Sequence, residues 1–300
     1  DLNDDTCVDT AISDLIKNVF RRPASESEVT QTKSIVTNAS QRLDSIQEGL
    51  SFGLAALLQS PHFLFRTELG NSDSGQLQFS AYEMASRLSF FLWNSMPDAE
   101  LFELADQNQL QTRSEIYTAA RRMMADPKFR NGLRAYFEDA LELYELDHLS
   151  KDPKVFEHFD PELGPSAAEE TWRLIENLVF DEPRDFRDLM TANFTFVNPR
   201  LATIYGMPSP VESGFGRLPL TSAGQRSGLL GHVSFLALHS HSTATSATRR
   251  GEAVRTRLLC QEIPSPPVNV DTSIPEPTGT RRTLRERVAE HLSDPSCVGC

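Results

Sequence analysis

Three hundred residues, 39% hydrophobic and 8% aromatic, are enough for one large core or two to three smaller ones, which argues against a largely disordered chain. With 42 acidic against 29 basic residues the net charge is −13, so the long-range field repels phosphate and disfavours general binding to nucleic acid or an anionic membrane. No apolar run reaches the roughly 18 to 20 residues that cross a bilayer, the longest interrupted stretch being Phe52 to Leu58.

The chain opens on Asp1-Leu2-Asn3-Asp4-Asp5, which has neither the basic start nor the apolar stretch of a signal peptide. Val8, Ile12, Leu15, Ile16, Val19 and Phe20 then recur at helical spacing until Pro23 stops the helix. Ser25 with Glu28 predicts a capping box, and the same pairing recurs at Ser80/Glu83, Thr112/Glu115 and Thr283/Glu286. Asp126-Pro127 and Asn198-Pro199 add two helix starts, and Gly206 offers a left-handed stop to the second. Helical spacing also covers Phe129 to Tyr144 and Glu169 to Phe180, whereas strand-like runs such as Phe194 to Val197 are short.

The small-polar stretch Gly70 to Gly75 and the loop Gly206 to Gly216 divide the chain into three segments, 1–70, 77–207 and 217–300. Pro264, Pro266, Pro267, Pro275 and Pro277 predict an extended strap before a last helix, Leu284 to Leu292. The fold expected is therefore mainly α: two to three packed helical lobes with a proline-rich strap near the C-terminus.

Cysteines stand at 7, 260, 297 and 300, so one local pair is set apart from two distant singles. Cys7 and Cys260 could pair in an oxidising compartment, although separation in sequence does not set distance in space. Cys297-Val298-Gly299-Cys300 has the spacing at which two thiols add across the vinyl groups of a c-type haem, with a histidine normally next as iron ligand. The chain supplies both cysteines and stops there, as a fragment of a longer protein would. By itself the spacing also admits half a zinc site or a dithiol redox pair. The flanks give no βαβ setting for the redox pair, and the remaining cysteines and histidines show no matching zinc spacing.

Several strings together resemble a known set of domains. Phe20-Arg21-Arg22-Pro23 with Glu28, and Ser60-Pro61-His62-Phe63-Leu64-Phe65-Arg66, are similar to the first; Tyr82 to Trp93, Met96-Pro97-Asp98 and Phe194 to Asn198 to the second. Arg226 to Leu230, Arg250-Gly251, Leu258-Leu259-Cys260 and His291 to Cys300 are similar to the third. These are the domains of unknown function fifteen-ninety-five, fifteen-ninety-two and fifteen-eighty-eight of planctomycete and myxobacterial cytochrome-like proteins. The resemblance implies haem c attached at Cys297 and Cys300 in the intact protein, and export to the bacterial periplasm or cell surface, where such haem is attached. It carries no assigned reaction or substrate.

Other candidates read as structure first. His239-Ser240-His241 puts two imidazoles on one side of an extended segment, where they could meet a metal or iron, but a polar loop explains them equally and a third ligand is missing. His232 and His62 read as structural. Arg249, Arg250, Arg255, Arg257, Arg281, Arg282, Arg285 and Arg287 suit haem propionates, or simply solvent and neighbours such as Glu252 and Glu286. Glu169-Glu170 and Glu100/Glu103 read as solvated helix faces, and the tryptophans as core. The sequence has no G-x-S-x-G, H-E-x-x-H or Walker loop, and whether it is an enzyme stays open. The function expected is electron transfer through covalent haem, with a redox partner protein. The alternatives are a non-catalytic binding or scaffolding module at the cell surface, and a haem-dependent oxidase or peroxidase.

Overall fold

Ser25, Ser80, Thr112 and Thr283 each accept the backbone amide three residues on, while Glu28, Glu83, Glu115 and Glu286 reach back to the cap amides. All four expected capping boxes are thus formed, and each fixes where a helix begins. The computed structural model describes residues 5–70, 78–220, 226–264 and 283–291. Among them the chain is mainly α, with one two-stranded sheet. It divides into two compact units between Ala135 and Tyr136, inside the second of the three segments read from sequence.

The first unit starts with α1 (Asp5–Phe20), whose stripe Ile12, Ile16 and Phe20 is buried with Leu57. It continues through α2 (Glu26–Leu43), α3 (Ile46–Leu58) and the single turn α4 (Pro61–Leu64). Arg21 ends α1 in the left-handed region, φ 60°, and this turns its guanidinium onto α4, where it donates to the carbonyls of His62 at 2.7 Å and Phe65 at 3.2 Å. The Phe20 ring meets the His62 ring at 5.2 Å, and Arg22 pairs with Glu28 at 2.7 Å. The strings around Phe20 and Ser60 are therefore two halves of one joint.

Next come α5 (Ala81–Trp93), α6 (Ala99–Asp106), α7 (Arg113–Ala125) and α8 (Lys128–Ala140), which runs across the boundary between the units. Ala85, Trp93, Leu101 and Met123 form the core here, and the indole of Trp93 donates to the Met123 carbonyl at 2.9 Å, so the largest buried side chain keeps its polar atom paired. The sequence-expected helix Phe129 to Tyr144 is shorter in the fold. Glu142 takes φ 53°, which breaks the helix, and a 3-10 turn, Leu143–His148, follows.

In the second unit α9 (Leu163–Glu176) passes into a π turn at Asn177–Asp181. The expected helix Glu169 to Phe180 therefore starts a turn and a half earlier and ends in π geometry. Strand β1 (Phe194–Val197) leads through α10 (Pro199–Tyr205) to β2 (Gly216–Pro219). The strands are antiparallel, with Thr195 opposite Leu218. Then follow α11 (Val233–Leu238), α12 (Ala247–Ala253) and α13 (Leu284–His291). Leu143, Leu146, Leu163, Ala167, Val197 and Leu201 are buried together as the core beneath the sheet. Of the proline strap, residues from 265 to 282 lie outside the described residues. None of the described helices is long and apolar enough to cross a membrane.

Candidate functional site

Cys297 and Cys300 lie outside the described residues. Cys7 and Cys260 are both exposed, one in each unit. His239 is half-buried with its ring against Phe235 at 4.8 Å, and burial together with nearby Arg257 holds its pKa below the ordinary value. His241 is exposed, and among the described residues no three His, Cys, Asp or Glu side chains converge as metal ligands. Arg257 pairs with Glu142, and Arg250 donates to Thr245 at 2.7 Å.

Of the polar cluster that the fold does assemble, the sequence read Glu170 as surface and His232 as structural. Leu163, Ala167, Glu170, Thr171 and Leu174 recur at helical spacing on α9, so Glu170 and Thr171 sit on its buried stripe with no exposure at all. Glu169, one position off the stripe, pairs with Arg173 at 2.8 Å. The Glu169-Glu170 pair is thus split between surface and interior, which corrects the solvated reading for Glu170.

Around Glu170 the fold brings Thr195 from β1, Tyr205 from α10 and His232 from the entry to α11. Tyr205 Oη donates to Glu170 Oε1 at 2.5 Å, and Thr195 Oγ1 donates to the same oxygen at 2.8 Å. Thr195 has one proton, so its contact with His232 Nε2 at 3.3 Å is an accepted bond, and the imidazole carries its hydrogen on Nε2. Nδ1 is then left to accept from Thr171 Oγ1 at 3.1 Å, and Thr171 in turn accepts from Ser234 Oγ at 2.7 Å. The hydrogen bonds run one way, from Ser234 through Thr171, His232 and Thr195 to Glu170. Burial pushes the His232 pKa down against the pull of Glu170, and Arg226 adds to the depression. Burial and the neighbouring Glu170 push Tyr205 up. The cluster is closed to solvent and ties α9, β1, α10 and α11 together.

Gly228 sets the backbone that delivers His232. Its φ is 52° and ψ −168°, and a Cβ there would lie 2.3 Å from the backbone of Met190. Two residues earlier, Arg226 lies over the Tyr205 ring at 4.8 Å and donates to the Gly231 carbonyl at 3.3 Å. Arg226 also lines a cavity of about 420 Å³ on the other side, walled by Leu149, Phe156, Phe159, Leu163, Val233 and Leu236. Lys151, Glu157, His158, Ser240 and Thr245 complete the polar part of the wall. The Lys151 ammonium donates to Ser240 Oγ at 2.7 Å and to the carbonyls of Ser240 and His241 at 3.3 and 3.1 Å. Burial lowers its pKa, and Arg249 beside it lowers it further. Sequence alone offered no sign of this cavity, because the loop that carries Lys151 and His158 meets Arg226 from a distant part of the chain.

Three family models match consecutive parts of the chain. Residues 7–68 match PSD5, a protein of unknown function (DUF1595); residues 79–207 match PSD4 (DUF1592); and residues 226–300 match PSCyt3 (DUF1588), both likewise described as proteins of unknown function. No curated protein and no solved structure matches the chain. The strings recognised around Phe20, Tyr82 and Arg226 fall in the first, second and third of these matches, and the chain belongs to the proteins that carry these three domains of unknown function in this order.

Proposed function

We propose that the protein is a c-type cytochrome-like electron carrier of the bacterial periplasm or cell surface, with haem c attached through Cys297 and Cys300 and a redox partner protein as its client. The observation that carries this reading is the C-x-x-C spacing of those two cysteines within the span matched by the third family, whose printed name contains "Cyt". The donor set of the second unit suits such a group: the cavity offers apolar walls, the imidazole of His158 and the cations Lys151 and Arg226. When bound, haem supplies a one-electron centre whose potential depends on axial ligands, burial and nearby charge. In this reading Cys297 and Cys300 would hold the group by thioether bonds, the apolar walls would shield it from water, and His158 would be a candidate nitrogen donor to the iron.

The test is the reduced-minus-oxidised absorption spectrum of the full-length protein, exported in a host with haem-maturation machinery. The expected result is a low-spin c-type spectrum, and His158→Ala converts it toward high spin. A spectrum with an open iron position in the unmodified protein favours the oxidase or peroxidase reading. The absence of any haem band favours a binding module, a reading that rests on α3, where Ile46, Leu50, Leu54 and Leu58 stand exposed on one face.

A further inference from the structure

We infer that the cavity lined by Leu149, Phe159 and Leu236 is a binding site for an apolar molecule that carries carboxylate groups, with Arg226 and Lys151 receiving the carboxylates. Its volume of about 420 Å³ falls in the range of roughly 300 to 1,000 Å³ typical of small-molecule and cofactor sites, and its wall has their composition, apolar with a few converging polar groups.

The two cations differ from many others among the described residues in what they face. Lys17, Lys33, Arg22, Arg87 and Arg122 each meet an Asp or Glu. Lys151 meets two carbonyls and a hydroxyl, which use its protons without supplying a counter-charge, and the charge of Arg249 acts on it as a second cation. Arg226 is engaged by the Gly231 carbonyl and by the Tyr205 side chain, whose ring lies beneath it, and the other donors of its planar fork remain for a ligand. Opposing charge comes from Glu170, buried behind Tyr205, and from Glu157, which lies on the cavity wall but is largely in solvent beside His158. A carboxylate entering an apolar cavity beside two cations gains charge-assisted hydrogen bonds that water screens poorly there. The neutral ester of the same molecule accepts only weaker hydrogen bonds and brings no charge to pair with the cations.

Two sources could supply this chemistry: the propionates of a haem, and an elongated carboxylic acid such as a fatty acid. The first rests on the haem reading above, but the test does not need attached haem. Full-length Cys297→Ala/Cys300→Ala protein is titrated with protoporphyrin IX, with its dimethyl ester and with a long-chain fatty acid, and binding is followed by porphyrin fluorescence and by displacement. The expected result is that the porphyrin acid binds more tightly than its ester, and that Arg226→Gln and Lys151→Gln each weaken it by about tenfold. Lys151→Arg, which keeps the charge, retains most of the affinity and shows that loss in Lys151→Gln is not loss of fold. Displacement by the fatty acid assigns the site to elongated acids, and failure of that displacement assigns it to porphyrin propionates. Equal binding of acid and ester, unchanged binding in both Gln variants, or no binding of either acid overturns the inference. Haem attachment at Cys297 and Cys300 is scored separately, so each reading can fail without the other.

Discussion

Thr195 donates its hydroxyl proton to Glu170 at 2.8 Å, and that one bond sets the state of His232. Because the proton is committed, the hydroxyl can only accept from His232 Nε2, and the direction of every other bond in the buried cluster follows. Thr195→Val keeps the shape and removes both bonds. It leaves a fully buried Nε2–H without an acceptor and is expected to cost about 1–3 kcal/mol in urea unfolding with little change in slope, while Thr195→Ser retains most of the stability. A Val variant as stable as the parent contradicts the directed chain.

His232 gives that cluster a pH signature. Its folded pKa is depressed below 6.5 by burial, so the unfolded chain takes up a proton that the folded chain refuses. Stability is therefore full above pH 6.5 and falls as pH drops below it, with a slope of up to about 1.4 kcal/mol per pH unit from this one group. In His232→Gln the slope below pH 6.5 is shallower than in the parent, measured as unfolding free energy at a series of pH values. Parallel slopes remove His232 as the source.

Glu28 works in the same direction at lower pH. Its bonds to Arg22 and to the Ser25 cap hold its pKa down to about 2 from 4.5, so its contribution is present above pH 4.5 and lost as pH falls toward 2. Glu28→Gln is expected to cost about 1 kcal/mol near neutrality and to flatten the acid limb of the stability curve. Acid unfolding followed by circular dichroism reads both effects.

Two glycines in the second unit separate strain from collision. Gly206 caps α10 with φ 66° and open space around it, so Gly206→Ala costs only the left-handed backbone, about 1 kcal/mol. Gly228 adds a Cβ overlap with Met190 at 2.3 Å, so Gly228→Ala is expected to cost several times more, about 3 kcal/mol or above, and to perturb the segment entering His232. Thermal melts of the two variants, compared side by side, test the ordering.

How much of this was readable beforehand follows from where each feature is encoded. The caps at Ser25, Ser80, Thr112 and Thr283 act within four residues, so sequence places them directly. The break at Glu142 escaped because a left-handed glutamate leaves no compositional mark, and the joint between Arg21 and His62 because it spans about forty residues of sequence. Glu170 was misread because a carboxylate on a helix is ordinarily solvated. The spacing of Leu163, Ala167, Thr171 and Leu174 was the available signal that it faced inward. The cavity depends on loops meeting in space, which local patterns do not encode.

The proposed function stands on covalent haem at Cys297 and Cys300. Intact-mass measurement of the exported full-length protein tests it most directly, read with the Cys297→Ala/Cys300→Ala variant purified in parallel. One added haem per chain is expected in the parent and none in the double variant. A folded, exported parent whose mass is that of the polypeptide alone would contradict it.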